Sequence, residues 1–188
     1  MEGLPSLLLD PVVARAVSAT LSVILLTSAW QKLRDPSLFQ ANIENYRLLP
    51  EGLTWAAAIL LPLWELAAGV SLLFGSTRTV AALLTIGLLL LVTAAVALNL
   101  LRGRTEIDCG CGSLGGHVGD QTLSWGLTIR NAALAVAALA TLREDSARAL
   151  FWIDYLSVVG GTLGLLGLYV TANQLMANQP RLQALRNF

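Results

Sequence analysis

Apolar residues run along this chain in long unbroken blocks rather than alternating with polar ones. The clearest block, Thr79 to Leu101, contains no ionisable side chain, and Leu156 to Met176 is likewise uncharged. Leu53 to Phe74 is interrupted only by Glu65, and Thr122 to Leu142 only by Arg130. Pro11 to Gln31 completes the set, with Arg15 near enough to its end to snorkel to the surface. A hydrocarbon core of about 30 Å takes about 20 helical residues to cross. Lipid-embedded backbone must satisfy itself internally, and a β-barrel would show alternating runs. The pattern therefore predicts an all-α, polytopic membrane helical bundle: a four-helix core plus a fifth C-terminal transmembrane helix. It forms a single transmembrane domain, with spans near 11–31, 53–74, 79–101, 122–142 and 152–176. The residues before the first block carry two acids and no base, and the block is too long for a usual signal-peptide core. It is expected to be a permanent helix.

The connections differ in character. Gly75 to Arg78 reads as a tight turn, and Arg143 to Leu150 as a short charged one. Leu33 to Gly52 places Phe39, Ile43 and Tyr46 at helical spacing among Lys32, Arg34 and Arg47. An amphipathic helix in the headgroup region follows, expected to stop at Pro50 and Gly52. The loop 102–121 is glycine-rich and holds both cysteines and the single histidine.

Composition sharpens the class. The chain is 188 residues long, 55% hydrophobic and only 13% charged, with formal net charge zero. A soluble domain carries about twice that share of charge, and without a basic excess nucleic acid is not an expected partner. Five spans put Lys32, Arg34, Arg47, Arg102, Arg104, Arg181 and Arg186 on one side, against Arg15, Arg78, Arg143 and Arg148. By the positive-inside rule the richer side, which includes the cysteine loop, faces the cytoplasm.

Cys109 and Cys111 stand in the run Asp108-Cys109-Gly110-Cys111-Gly112. Residues two apart meet disulfide geometry only with a bent backbone, which Gly110 permits. Such a ring cross-links almost nothing, and strained exposed disulfides are the exchangeable ones. Three readings stand at this point: a redox-active thiol pair, a metal site, or inert thiols. The metal reading would draw on Cys109, Cys111 and His117 with Asp108 or Asp120, without the second ligand pair of a zinc finger. Arg102 and Arg104 would favour thiolate and Glu106 and Asp108 oppose it. Asp120 or Thr122 could cap the helix that follows.

Inside the spans, Glu65 and Arg130 are costly unless they face the bundle. Opposite signs at similar depth suggest that they pair, with Asn131 and Asn99 adding hydrogen bonds. They serve either as a structural pin or as a polar floor beneath the thiols that positions a quinone head group or relays protons. Gly160 and Gly164 form a small-xxx-small pair expected to pack closely. Trp55, Trp125 and Trp152 fall where an aromatic belt would sit.

The run Lys32-Leu33-Arg34-Asp35-Pro36, then Tyr46-Arg47-Leu48-Leu49-Pro50, then Leu61-Pro62-Leu63-Trp64-Glu65 begins an ordered series of motifs. Arg102-Gly103-Arg104, Asp108-Cys109-Gly110-Cys111, Ser124-Trp125 and Arg130-Asn131 continue it. Together they resemble the methylamine utilisation protein MauE family, within the wider DoxX-like group of small membrane redox proteins. The chain departs from the frequent Phe-Gly after the second cysteine, having Gly112-Ser113-Leu114, which bears on how the loop docks a partner. The resemblance implies a plasma (inner) membrane component of thiol–disulfide handling, acting with a thioredoxin-like, MauD-like protein on an exported client. In the type member the client looks to be methylamine dehydrogenase; no client is carried over to this chain. The resemblance also places the thiol loop on the periplasmic or extracellular face, against the charge count.

The mechanism expected is a dithiol–disulfide cycle of Cys109 and Cys111, with Cys109 the attacking or attacked sulfur and Glu65, Arg130, Asn131, Arg102, Arg104 and Asp108 in support. One cysteine pair allows no internal relay, so electrons pass to a second partner or a membrane acceptor, for which quinone is the natural candidate. The rivals are a non-catalytic scaffold for a soluble oxidoreductase and a small transporter lined by Glu65 and Arg130.

Overall fold

The computed structural model describes residues 10–109, 122–142 and 151–186. Helix α1 spans Pro11–Arg34. Asp10 caps it, its carboxylate accepting the Val12 N–H at 2.9 Å, and Pro11 occupies the first turn where its missing donor costs nothing. Lys32 and Arg34 lie in the last turn, where cations favour the carbonyl end of the helix dipole. The Asp35-Pro36 step ends α1 and starts α2, Pro36–Tyr46. Asp35 caps α2: the Leu38 N–H and then the Ser37 hydroxyl hold its carboxyl below the usual carboxylate range.

The amphipathic connector is therefore a helix, but it ends earlier than expected. Arg47 takes a left-handed conformation (φ 48°) and closes α2, and Pro50 instead stands at the N-cap of α3, Glu51–Ser71. Gly52 lies inside the first turn of α3. A short 3-10 turn, Gly75–Thr77, leads into α4, Arg78–Leu101. Helix α5 is Trp125–Ala140, and α6 is Trp152–Arg186.

α1, α3, α4 and α6 are long and apolar enough to cross a membrane. α5 is apolar but shorter than the expected 122–142 span: 16 residues rise about 24 Å. Thr122 does not enter the helix because it forms an isolated antiparallel bridge with Asp108, and Ser124 takes the cap position instead. Asp120 lies outside the described residues. α6 runs on beyond residue 176 to Arg186. At its start Asp154 reaches back to the Phe151 N–H at 2.9 Å, half of a capping box. Among the described residues there is no strand, and the chain is a multi-pass helical membrane protein.

α1 packs chiefly on α3 and α6, α4 on α5 and α3, and α2 lies over α3. α1 and α3 approach closely at Gly69, where a Cβ would lie 3.0 Å from Leu26, and the Ser22 hydroxyl donates to the Gly69 carbonyl at 2.7 Å. Leu21, Leu25, Ala68, Leu72, Ala81, Leu88 and Ala138 form the main core. The Trp64 indole N–H donates to the Leu84 carbonyl at 3.1 Å, fixing α3 against α4. The glycines of α6 behave differently from the expected packing motif. Gly160 and Gly164 face open space, and the tight contact is at Gly161, whose Cβ position lies 3.3 Å from Ala16 of α1. Trp55, Trp125 and Trp152 are all exposed, as an aromatic belt requires.

Candidate functional site

The cysteine loop leaves α4 through a helix stop that its sequence dictates. Gly103 adopts a left-handed φ of 73°, open only to residues without a Cβ penalty. Its N–H donates to the Leu100 carbonyl, and that of Arg104 to the Asn99 carbonyl, both at 3.0 Å. This is a Schellman stop, and it gives the Arg102-Gly103-Arg104 run a structural meaning. Asn99 serves here and bonds the Ala95 carbonyl through its amide, rather than joining a network with Glu65.

The two stems of the loop are then stitched together by the Asp108–Thr122 bridge and by the Leu123 N–H donating to the Ile107 carbonyl at 2.9 Å. Cys109 emerges from this stitch and is 6% exposed, packed with Val96, Leu100, Leu123 and Leu127. Tyr46, the last residue of α2, donates its hydroxyl to the Cys109 carbonyl at 3.0 Å. Residues 46 and 109 are thereby joined across the loop end of the bundle. Cys111 and His117 lie outside the described residues. The alternative metal set therefore falls mostly outside them too.

Beside Cys109 lies an open polar bowl of about 570 Å3, lined by Asn45, Arg47, Arg104, Glu106 and Asp108. Arg104 belongs to this bowl. Arg102 stands exposed at the end of α4 and does not line it. Both signs of charge meet there, so the bowl suits a polar surface rather than a purely anionic or cationic one.

The expected Glu65–Arg130 pair does not form. Glu65 forms its ion pair with Lys32 of α1, the two side chains 6% and 4% exposed. The ammonium also lies 5.1 Å from the centre of the Phe39 ring. The physical reason is register: α3 begins well past the end of α1, alongside α2, so the middle of α3 is level with the last turn of α1. Arg130 instead bonds amide oxygens, donating to Asn173 Oδ1 of α6 at 2.9 Å and to Asn131 Oδ1 at 3.2 Å. Its guanidinium sits 5.8 Å from the Tyr169 ring centre. Between the two charged groups is a small cavity of about 50 Å3, lined in part by Glu65, Thr85, Arg130, Asn131 and Tyr169. Glu65 Oε2 and Asn131 Nδ2 are buried there without a hydrogen-bond partner.

Of the residues named from sequence, Cys109, Asp108 and Arg104 lie at the loop end and Glu65, Arg130 and Asn131 around the inner chamber. Sequence reading gave no site role to Lys32, Tyr46, Asn173 or Tyr169, which the structure brings beside them. Lys32 entered the sequence reading as a loop-side charge and as the first residue of a motif, not as a buried partner. Its position one helical heptad before Phe39, across an Asp-Pro break, was the available signal that it folds inward.

A bundle of apolar helices, a stitched cysteine loop at one end and buried charges beneath define a small polytopic membrane protein with its polar chemistry at one end. The family model described as methylamine utilisation protein MauE matches residues 10–143. This chain is 38% identical over 133 residues to methylamine utilization protein MauE of Paracoccus denitrificans, covering 71% of this chain and 70% of the relative. It is 44% identical over the same length to that of Methylorubrum extorquens, with the same coverage. A third relative, from Methylophilus methylotrophus, is 42% identical over 106 residues, 56% of each chain. No solved structure matches. The chain belongs to the MauE family.

Proposed function

We propose that this protein is a membrane thiol–disulfide exchanger whose Cys109 and Cys111 react with a thioredoxin-like partner, supporting maturation of an exported protein in a methylamine-utilisation type of system. The observation that carries the reading is the anchoring of Cys109: its backbone is bound by the Tyr46 hydroxyl and by the loop stitch, and its side chain is packed on four apolar residues. An incidental cysteine needs no such frame.

The exchange is two-electron chemistry. A thiolate of the pair attacks a disulfide of the partner to give a mixed disulfide and release one partner thiolate. The second cysteine then attacks its neighbour's sulfur, closing Cys109–Cys111 and releasing the partner's other thiolate. Two electrons pass to the partner, and the two protons left by the thiols complete its dithiol; the reverse sequence reduces the pair. Burial shifts the roles from the sequence expectation: Cys109 is the resolving sulfur, and first contact falls to Cys111. The bowl lined by Arg47, Arg104, Glu106 and Asp108 is where the partner docks, and the loop faces the periplasmic or extracellular side.

The test is trapping. In native membranes, Cys109→Ser should accumulate a mixed disulfide through Cys111 with a thioredoxin-like protein, and Cys111→Ser should not. Client maturation that survives replacement of both cysteines would overturn the proposal in favour of a scaffold.

A further inference from the structure

α6 leans on α1 and diverges from α5, the gap bridged by the Arg130–Asn173 hydrogen bond and by the approach of Gly126 to Met176. This leaves a lateral groove of about 590 Å3 between α1, α5 and α6. Its walls are apolar, Ile24, Ile129, Leu134 and Leu168 among them, and Arg130 is the one charged side chain there among the described residues. Arg130 and Tyr169, together with Leu21, Ile24 and Leu134, line both the groove and the inner 50 Å3 chamber, so they stand between the groove and the space that holds the Glu65 carboxylate. Glu65 is 5% exposed and Asn131 3% exposed, and each turns an unpartnered polar atom into that interior. The chamber has room for about three waters.

A ligand matching this arrangement has a long apolar chain and a head with an acceptor oxygen for Arg130. Its head must also sit below the interface, since Arg130 lies five residues, or about 7 Å, along α5 from the belt residue Trp125. Drawing a phosphate anion to that depth costs far more than drawing a neutral carbonyl. A plain acyl chain has no group for the guanidinium.

We infer that the groove binds an isoprenoid quinone, its carbonyl accepting from Arg130 and its tail lying between α5 and α6. The inference rests on the thiol-exchange reading for the source of electrons. With the exchange run in reverse, the partner's dithiol reduces the Cys109–Cys111 disulfide and leaves as the partner's disulfide. Re-closing the Cys109–Cys111 bond then releases two electrons and two protons, and the quinone takes up two of each to become quinol. Cys109 packs on Leu127, one turn of α5 from Arg130 and Asn131, so thiol and head group share the first two turns of one helix. Protons enter through the chamber that holds Glu65.

The experiment uses the full chain in nanodiscs and an azido derivative of decylubiquinone as photolabel, mapped by mass spectrometry. The label should fall on residues 126–137 and 165–176. Ala133 is exposed on the groove wall, so Ala133→Trp fills the groove without entering the core; it and Arg130→Gln should each weaken labelling about tenfold, the scale of one charge-assisted hydrogen bond or of lost access. The Cys109→Ser/Cys111→Ser variant should label like the native chain. Label spread over all lipid-facing helices, or undiminished in folded Ala133→Trp, would overturn the inference and leave only bulk lipid in the groove. Groove labelling with thiols that never respond to quinone would sustain the site and sink the thiol reading. Thiols oxidised by quinone without groove labelling would do the opposite.

Discussion

Breaking the Lys32–Glu65 pair from one side is the perturbation with the largest expected effect on the bundle. Both side chains are enclosed, 4% and 6% exposed, and the second carboxylate oxygen already has no hydrogen-bond partner. Lys32→Met leaves a carboxylate among apolar side chains with its counter-charge gone. Removing one member of a buried pair costs about 3–5 kcal/mol, a shift of two to nearly four powers of ten in the folding equilibrium. Glu65→Met removes the carboxylate from the buried ammonium, which lies 5.1 Å from the Phe39 ring centre, and should be similarly costly. The double variant Lys32→Met/Glu65→Met replaces both with apolar groups of similar volume and should return close to native stability. The assay is SDS-titrated unfolding in mixed micelles, followed by tryptophan fluorescence at all four corners of the cycle. The coupling should reach several kcal/mol. Single variants within about 1 kcal/mol of native, or a double variant equal to the sum of the singles within about 0.5 kcal/mol, would refute the reasoning. Arg130→Met gives the contrast: it removes bonds to two amides and should not rescue or mimic either single variant.

Gly103→Ala puts a Cβ on a left-handed residue and should destabilise the chain by about 1–2 kcal/mol, with faster amide exchange at Arg104 as its marker. Gly161→Leu should loosen α6 from α1 and be read as faster proteolysis between residues 143 and 186, whereas Gly164→Leu, facing open space, should leave the pattern unchanged. The Asp35 carboxyl is held below its usual range in the folded chain, so its capping contribution is complete above the ordinary carboxylate range and is lost as pH falls through the lowered value. Protection of the Leu38 amide relative to its intrinsic exchange rate should fall over that acid window, and Asp35→Asn should abolish that fall.

Much of the architecture was legible because lipid imposes simple constraints. An uncharged run such as Thr79 to Leu101 has few ways to fold besides a span, and several of the quoted motifs fell at joints: Asp35-Pro36 at a helix break, Arg102-Gly103-Arg104 at a helix stop. What sequence hid was relative height. Glu65 and Arg130 do line one chamber, so their depths match, but α2 lifts the start of α3 above the end of α1, and this brings Lys32 of α1 level with Glu65 as its partner. Gly160 and Gly164 failed for a related reason: spacing shows that small residues share a face, not which face meets a neighbour. The shortness of α5 was hidden because Thr122 is apolar enough to extend a hydropathy block, yet its backbone pairs with Asp108.

That short helix has a consequence for the surrounding lipid. A rise of about 24 Å against a hydrocarbon thickness of about 30 Å leaves a mismatch of about 6 Å, concentrated along one flank of the molecule. Neighbouring helices are full length, so tilting the whole protein cannot remove it, and the bilayer must thin locally where α5 meets it. Headgroups and their water are drawn inward on that flank. The protein should therefore be enriched in thinner membrane regions, and two copies that share one compressed annulus should attract each other without any direct contact between their side chains.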